Sequence, residues 1–232
     1  MPRPRLSSLS VLILILSASS AQSQDRSSLQ AKMESLRGQI EAKERVFLSP
    51  SPEDLATFAA FLRQPDTGMA RLMPSEKYDK VLLIRGGGAY YSFTKLTNEY
   101  GNGAEIGLGQ GRLSVGFGGA NFGFLTSLGD VAVDSVTVDY PGVQFLAALN
   151  TPSALPEARE QQRRAGSGFE ANGFTYKRDL PATLNTTYAL RSVIYAASDV
   201  LVVFRVTRED SDGSLILAWK ILKRFPVPQL AQ

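Results

Sequence analysis

The chain has 232 residues, enough for one domain with a sizeable core, and it contains no cysteine and no histidine. These absences exclude a Ser-His-Asp or Cys-His catalytic site and a zinc site built from the usual ligands. The formal charge is only +3 and no basic cluster is present, so the sequence does not predict nucleic-acid binding.

The first residues have the pattern of a secretory signal peptide. Arg3 and Arg5 give a positive start, residues 9–16 form a short apolar run, and small residues follow before Gln22. The alternative is a retained membrane anchor, but the run is far shorter than the roughly 20 apolar residues that a spanning helix needs. We therefore expect cleavage of residues 1–21 and export to the periplasm or the extracellular space, with no membrane span after signal removal.

Removal of the signal peptide also makes the expected mature chain nearly neutral. Without Arg3 and Arg5 it has 23 basic residues against 22 acidic ones, a formal charge of +1. An exported chain without cysteine has no disulfides and depends on its core alone. This combination is typical of a bacterial periplasmic or secreted protein.

Residues 22–77 form a predicted helical N-terminal region. Leu29, Met33, Leu36 and Ile40 recur at spacings of four, three and four, which places them on one face of a helix. Two interpretations are open. The stripe is compatible with packing against the protein's own domain, and it is compatible with a short coiled coil that makes a homo-oligomer.

A second helix is predicted to begin after Ser51. Ser51 is a good N-cap and Pro52 suits the first helical position. Leu55, Phe58 and Leu62 then form an apolar stripe, as expected for a short amphipathic helix that covers a core.

From residue 78 to residue 232 the pattern changes to the alternation that is typical of β-strands. Asn102-Gly103 and Asp212-Gly213 are strong two-residue hairpin signals, and "SDVLVVFRVTRED" and "LILAWKILKRF" flank the second of them. The fold class predicted is mainly β (α+β): an antiparallel β-sandwich or barrel-like sheet, preceded by one or two N-terminal helices. Residues 130–149 are predicted as further strand. Residues 153–166 are predicted as a short charged helix, followed by a flexible "GSG".

Residues 105–130 hold eight of the chain's 20 glycines and raise the question of a phosphate-binding loop. Gly107, Gly109 and Gly111 are spaced by two, which is the period of a strand. A dinucleotide fingerprint needs a different spacing and a following helix, and a Walker-type motif is also absent. The stretch is therefore interpreted as sheet with a bare glycine face, suited to close backbone packing or to a ligand surface.

Candidate catalytic chemistry is confined to paired carboxylates, a Ser-Lys arrangement or an oxygen-ligand metal site. No motif assigns those roles, so no catalytic residue, metal ligand or cofactor is predicted. The "DSDG" turn at 210–213 lacks the Glu and the flanking helices of a calcium loop. The carboxylates considered are Glu99, Glu105, Asp130, Asp134, Asp139, Glu170, Asp179 and Asp199.

Aromatic residues give the one indication of a ligand-binding surface. Tyr90, Tyr91 and Tyr100 cluster around the first β region, and phenylalanines follow in the glycine-rich stretch. Aromatic rings beside glycine faces could line a groove for a sugar, lipid or peptide. The competing interpretation is that the rings fill the core, because half of an alternating strand faces inward.

These observations favour an exported, non-catalytic binding or interaction protein of the bacterial cell envelope, with an unknown protein or small molecule as partner. One alternative is a hydrolase that uses paired carboxylates or Ser-Lys, and its signature would be two buried acids converging in one pocket. Another alternative is a small outer-membrane β-barrel, which the alternation favours weakly.

Overall fold

The computed structural model of the protein describes the backbone of residues 10–101 and 103–231, and the side chains in those ranges from Asp25 onward. The chain divides into two compact units, Met1–Lys43 and Glu44–Gln232. The positive start of the predicted signal peptide and Asn102 of the predicted turn lie outside the described residues.

The described part of the first unit, residues 10–43, is helical. Helix α1 (Ser10–Phe47) covers the predicted first helix and extends into the second unit. The apolar side chains of the predicted stripe are between 45% and 70% exposed: Leu29, Met33, Leu36 and Ile40. No helix in the described part of the chain is long and apolar enough to cross a membrane.

The second unit contains four short helices and, within the described residues, eleven strands. The helices are α2 (Pro52–Thr57), α3 (Ser75–Tyr78), α4 (Gln144–Ala148) and α5 (Leu155–Ser167). The strands are β1 (Thr67–Leu72), β2 (Tyr90–Tyr91), β3 (Ile106–Gly109), β4 (Arg112–Ser114), β5 (Phe122–Gly129), β6 (Phe169–Ala171), β7 (Phe174–Tyr176), β8 (Asp179–Pro181), β9 (Thr187–Ile194), β10 (Ser198–Glu209) and β11 (Leu215–Arg224).

The strands form antiparallel sheets. A five-stranded sheet has the order β1-β11-β10-β9-β5, and a four-stranded sheet has the order β2-β3-β4-β8. β6 and β7 make a separate hairpin. The predicted fold class, a mainly β α+β fold with a sandwich-like sheet arrangement and an N-terminal helix, is confirmed.

Two apolar clusters lie on opposite faces of the five-stranded sheet. The first, here called the inner core, joins that sheet to the four-stranded sheet; Phe93, Leu113 and Phe204 belong to it. The second, the outer core, joins the opposite face to α4, α5 and irregular segments; Leu146 and Val203 belong to it. Because both faces are covered, β10 is buried along most of its length and reads as a nearly continuous apolar run.

The hairpin of β10 and β11 turns at the predicted Asp212-Gly213 signal. β1, which lies within the region predicted to be helical, adds to the free edge of β11. Gly68 permits this pairing, since a Cβ atom there would lie 2.3 Å from the Trp219 ring. The five-stranded sheet therefore takes an edge strand from the N-terminal region.

The prediction of strand for residues 130–149 is wrong. This segment contains one 3₁₀ turn, Val133–Ser135, and helix α4, and it packs on the outer core through Val136, Val143 and Leu146. Its short apolar runs are buried against a sheet face and do not join a ladder. The predicted charged helix ending at Gly166 is confirmed as α5, which ends at Ser167.

Candidate ligand-binding surface

Three partly exposed aromatic rings lie together on the outer side of the four-stranded sheet. We call Tyr90, Tyr100 and Phe117 the aromatic cluster. The ring centroids are 4.5 Å apart for Tyr90 and Tyr100 and 5.0 Å apart for Tyr90 and Phe117. Tyr100 and Phe117 are separated by 6.4 Å. These separations are those of favourable tilted and edge-to-face ring pairs, so the cluster is held by its own contacts.

Glycine backbone supports the aromatic cluster. Gly107 pairs with Tyr90 in the ladder between β2 and β3, and a Cβ atom at Gly107 would lie 2.9 Å from Phe117 and 3.0 Å from Tyr90. Gly86 has a φ of +81°, and a Cβ atom there would lie 2.6 Å from Tyr90. The rings therefore pack closely against main chain at positions that only glycine leaves open. This agrees with the bare glycine face predicted for β3.

The Tyr90 phenol remains protonated well above neutral pH. Burial raises its pKa, and the neighbouring Tyr100 and Asp79 raise it further. A neutral phenol both donates and accepts a hydrogen bond. The cluster thus combines apolar ring faces with a Tyr90 hydroxyl that can both donate and accept a hydrogen bond.

The Tyr91 side chain lies on the opposite face of the sheet from Tyr90, because successive strand residues face opposite sides of a sheet. It is 6% exposed, and its ring lies 5.4 Å from Phe93 and 6.2 Å from Trp219 in the inner core. Burial raises the pKa of Tyr91 to about 12. The structure therefore brings Tyr90 and Tyr100 together at the surface and places Tyr91 between the two sheets.

Two of the candidate carboxylates, Glu105 and Asp199, are buried, and each forms hydrogen bonds with neighbouring protein groups. The Glu105 carboxylate accepts hydrogen bonds from the Phe93 amide at 2.6 Å, from the Thr94 hydroxyl at 2.6 Å and from the Ser198 hydroxyl at 3.0 Å. Ser198 and Asp199 are adjacent on β10 and face opposite sides of the sheet. Glu105 and Asp199 are consequently separated by the sheet and do not converge in one pocket.

Asp199 forms a fully buried ion pair with Arg191, which sequence reasoning missed. Arg191 Nη2 donates to Asp199 Oδ2 at 2.9 Å, and Arg191 Nη1 donates to the Leu146 carbonyl at 2.8 Å. The Thr151 hydroxyl donates to Asp199 at 2.6 Å, and the Phe225 ring covers the guanidinium at 3.2 Å. The available signal was a charged residue at an inward position of the apolar strand "YALRSVIYA", which requires a buried partner.

A cavity of about 560 Å³ adjoins this ion pair and is bounded by residues 147–153 and 223–229. The Arg191 guanidinium is already paired with a carboxylate and a carbonyl, so it offers no net charge to a ligand. We therefore assign the pair a structural role.

The remaining candidate carboxylates lie toward the surface. Asp130 pairs with Arg205 at 2.7 Å and Asp179 pairs with Arg112 at 2.5 Å. The others are partly or fully exposed: Glu99, Asp134, Asp139 and Glu170.

The "DSDG" turn is held by protein side chains. Tyr78 donates its hydroxyl to Asp212 at 2.7 Å, the Ser214 amide donates to Asp212 at 2.9 Å, and Arg71 pairs with Asp210 at 3.0 Å. Burial opposes ionisation of Asp212, but hydrogen bonds from Ser214 and Tyr78 outweigh it and lower the pKa of Asp212 to about 2. Across the described residues, no group of three or more acidic side chains is arranged to hold a metal ion.

Comparisons of the chain with protein-family models, with curated proteins and with solved structures found no match.

Proposed function

We propose that the protein is an exported, non-catalytic binding protein of the bacterial cell envelope, and that the aromatic cluster is its ligand-binding surface. The observation that carries this proposal is the set of three partly exposed rings on glycine backbone. Exposed aromatic rings that are already ordered lose little side-chain freedom when a ligand binds.

A carbohydrate is the ligand class that suits this surface best. A pyranose ring presents an apolar C–H face that can stack on an aromatic ring, and hydroxyl groups that can exchange hydrogen bonds with phenols. Tyr90 and Tyr100 provide both kinds of contact at one place. An uncharged sugar also requires no charged partner, and the cluster contains no Asp, Glu, Lys or Arg side chain.

The test is an NMR titration of the purified protein with chitotetraose, cellotetraose and maltotetraose. We expect one of these to shift resonances of the aromatic cluster, and Tyr100→Ala to weaken that binding by about tenfold. Tyr140→Ala is the matched control, because Tyr140 is also partly exposed but packs against the outer core. Binding that Tyr100→Ala and Tyr140→Ala weaken equally would contradict the assignment of the surface.

Export is supported by the signal-peptide pattern of the sequence. We expect the mature protein to begin near Gln22, because the small residues before it suit signal peptidase. N-terminal sequencing of protein purified from the cell envelope checks this, and an intact Met1 there would refute export by this route.

Helix α1 supports a further part of the proposal, which is that the protein forms homo-oligomers. Its stripe of Leu29, Met33, Leu36 and Ile40 is exposed and has the spacing of a coiled-coil seam. Light scattering should show an oligomer for the mature chain and a monomer after deletion of residues 22–43, which leaves the second unit intact. A monomer in both forms would dismiss the coiled coil.

The hydrolase alternative lacks comparable support. Its signature was two buried acids in one pocket, and the two candidate carboxylates that are buried, Glu105 and Asp199, lie on opposite faces of one sheet.

A further inference from the structure

A second surface cavity, of about 310 Å³, lies beside the loop that joins β4 to β5. Three groups of residues line it. Gly116, Gly118 and Gly119 come from the loop, Arg159 and Gln162 come from α5, and Arg178 precedes β8. This cavity is distinct from the aromatic cluster and from the cavity beside the Arg191–Asp199 pair.

The charged residues that line the cavity are all basic. Arg159 and Arg178 both line it, and none of its described lining residues is acidic. The carboxylates of α5 lie elsewhere, since Glu157 and Glu160 line a different cavity. Residues three apart share a face of a helix, so Arg159, Gln162 and Ala165 form one face of α5, and its acidic residues are turned away from that face.

Uncharged main chain holds the Arg159 side of the cavity in place. Arg159 Nη1 donates to the Gly119 carbonyl at 2.8 Å, and Gln162 Nε2 donates to the carbonyls of Gly119 at 3.0 Å and of Asn121 at 2.7 Å. These bonds fix the loop against α5 without neutralising the guanidinium. The Arg159 charge therefore remains available to an anion.

Arg178 is positioned by its backbone while its side chain is unpaired. Its amide donates to the Ala165 carbonyl at 2.7 Å, and its carbonyl accepts from the Val115 amide at 3.1 Å. Within the described residues, the Arg178 guanidinium has neither a hydrogen-bond acceptor nor an acidic partner. Because its backbone is held and its guanidinium group has no partner in the described chain, Arg178 is well placed to bind an oxyanion.

The loop glycines leave room for a ligand at the main chain. Gly118 and Gly119 have φ values of +72° and +50°, and a Cβ atom at either would have no heavy atom within 4 Å. The neighbouring Gly123 is different, because a Cβ atom there would lie 2.5 Å from the Arg191 carbonyl. Gly123 serves close packing in the sheet, while Gly118 and Gly119 border open space where a ligand can approach the backbone.

We propose that this cavity binds a tetrahedral oxyanion, a phosphate or sulfate group, between Arg159 and Arg178 and against the backbone of Gly118 and Gly119. Guanidinium groups form paired, charge-assisted hydrogen bonds with such anions. The site does not have the spacing of a nucleotide-binding loop. The anion is either free or carried by a small molecule, since both present the same group.

The test is an NMR titration of the purified protein at constant ionic strength with sodium phosphate, sodium sulfate and glycerol 1-phosphate. We expect shifts localised to Gly118, Gly119 and Arg178, and roughly tenfold weaker binding for Arg178→Gln. Arg163→Gln is the matched control, because it removes the same charge from the exposed Arg163–Glu160 pair outside the cavity. Tighter binding of the ester than of inorganic phosphate would identify a phosphorylated small molecule, and equal binding would identify the free anion.

Two results would overturn the proposal. The first is that none of the three anions shifts resonances around Gly118 and Gly119. The second is that Arg163→Gln weakens binding as much as Arg178→Gln, which would mean that the anion responds only to the net charge of the protein.

Discussion

The two faces of the five-stranded sheet are covered by different kinds of structure. On the inner face, the partner is a second sheet whose own backbone groups are largely paired in ladders. On the outer face, the partners are α5, the hairpin of β6 and β7, and the segment 130–153, which is mostly irregular chain. An irregular segment still needs partners for its backbone carbonyls when it is buried.

Side chains supply those partners on the outer face. In the described part of the chain, five hydrogen bonds from side chains outside this segment reach its carbonyls. Three of their donors, Thr187, Arg191 and Arg205, lie on β9 and β10. The bonds are Thr187 Oγ1 to Val131 O at 2.6 Å, Arg205 Nη1 to Val131 O at 3.0 Å, Tyr176 OH to Gly142 O at 2.9 Å, Arg191 Nη1 to Leu146 O at 2.8 Å and Tyr195 OH to Pro152 O at 2.7 Å.

This contrast explains where buried polar residues occur along a strand. On β9 and β10, the face that packs on the second sheet carries apolar side chains, one tyrosine and two serines, whereas the face that packs on irregular chain carries charged donors at inward positions. On β9 the inward positions facing the outer core include Thr187 and Arg191, and both are buried. Such residues indicate an irregular covering segment, with no need to invoke a catalytic site.

Loss of Arg191 should have the largest effect on stability. Arg191→Met leaves Asp199 buried without its partner, and we expect the free energy of unfolding to fall by about 3–5 kcal/mol. Urea denaturation at neutral pH, followed by far-UV circular dichroism, measures this. The double variant Arg191→Met/Asp199→Asn should recover part of the loss. A loss below about 1 kcal/mol in the single variant would show that the ion pair does not hold the outer layer.

On the inner face, Glu105→Gln should cost less, about 1–3 kcal/mol. The amide keeps one acceptor oxygen but replaces the other with a donor. Either the bond from the Phe93 amide to Oε2 or the bonds from the Thr94 and Ser198 hydroxyls to Oε1 therefore lose their acceptor. The same urea titration measures the change. Ser198→Ala removes a single one of these bonds and should cost less than Glu105→Gln; the reverse order would mean that Glu105 is not the centre of this network.

Removal of one carbonyl partner on the outer face should have a smaller effect. Tyr176→Phe deletes the hydrogen bond to the Gly142 carbonyl and should lower the free energy of unfolding by about 1 kcal/mol. Tyr140→Phe is the control, because the Tyr140 hydroxyl has no partner in the described part of the chain, and its effect should stay within about 0.5 kcal/mol. Equal effects would argue that the carbonyl bonds of segment 130–153 contribute little.

A site outside both faces should give a distinct dependence of stability on acid. The folded-state pKa of Asp212, about 2, lies below its ordinary value of 3.8. The ionised form therefore stabilises the fold above about pH 4, and this contribution is lost as the pH falls toward 2. Asp212→Asn should flatten the decline of stability between about pH 4 and pH 2, measured by thermal unfolding at several pH values.

Asp179→Asn is the control for this pH dependence, since Asp179 forms a more exposed pair with Arg112. If Asp179→Asn flattens the acid decline as much as Asp212→Asn does, the hairpin network is not its source.

Much of the fold follows from local sequence patterns. Alternation and the Asp212-Gly213 turn predict the hairpin of β10 and β11, because strand period and turn type are properties of neighbouring residues. The spacing of Gly107 and Gly109 predicts strand for the same reason. Segment 130–149 was not predictable in this way, since its apolar residues pack against a distant sheet face that local patterns do not reveal.

The candidate surface was predictable only in part. The clustering of tyrosines in the sequence predicts Tyr90 and Tyr100 as candidate ligand-binding residues, but it does not identify Phe117 as their partner. Alternation along β2 implies that Tyr90 and Tyr91 face opposite sides, and which side is inward depends on the position of the other sheet. The pairing of Arg191 with Leu146 O joins positions 45 residues apart, a contact that no local pattern contains.

The inner core also contains the protein's one tryptophan. Trp219 is 3% exposed and lies beside Phe93 and Tyr91, whereas the tyrosines Tyr176 and Tyr195 pack on the other face. Tryptophan emission therefore reports on the packing between the two sheets and does not report on the outer layer. If the outer layer loosens first, circular dichroism will change before the emission does; coincident transitions will show that both faces unfold as one cooperative unit.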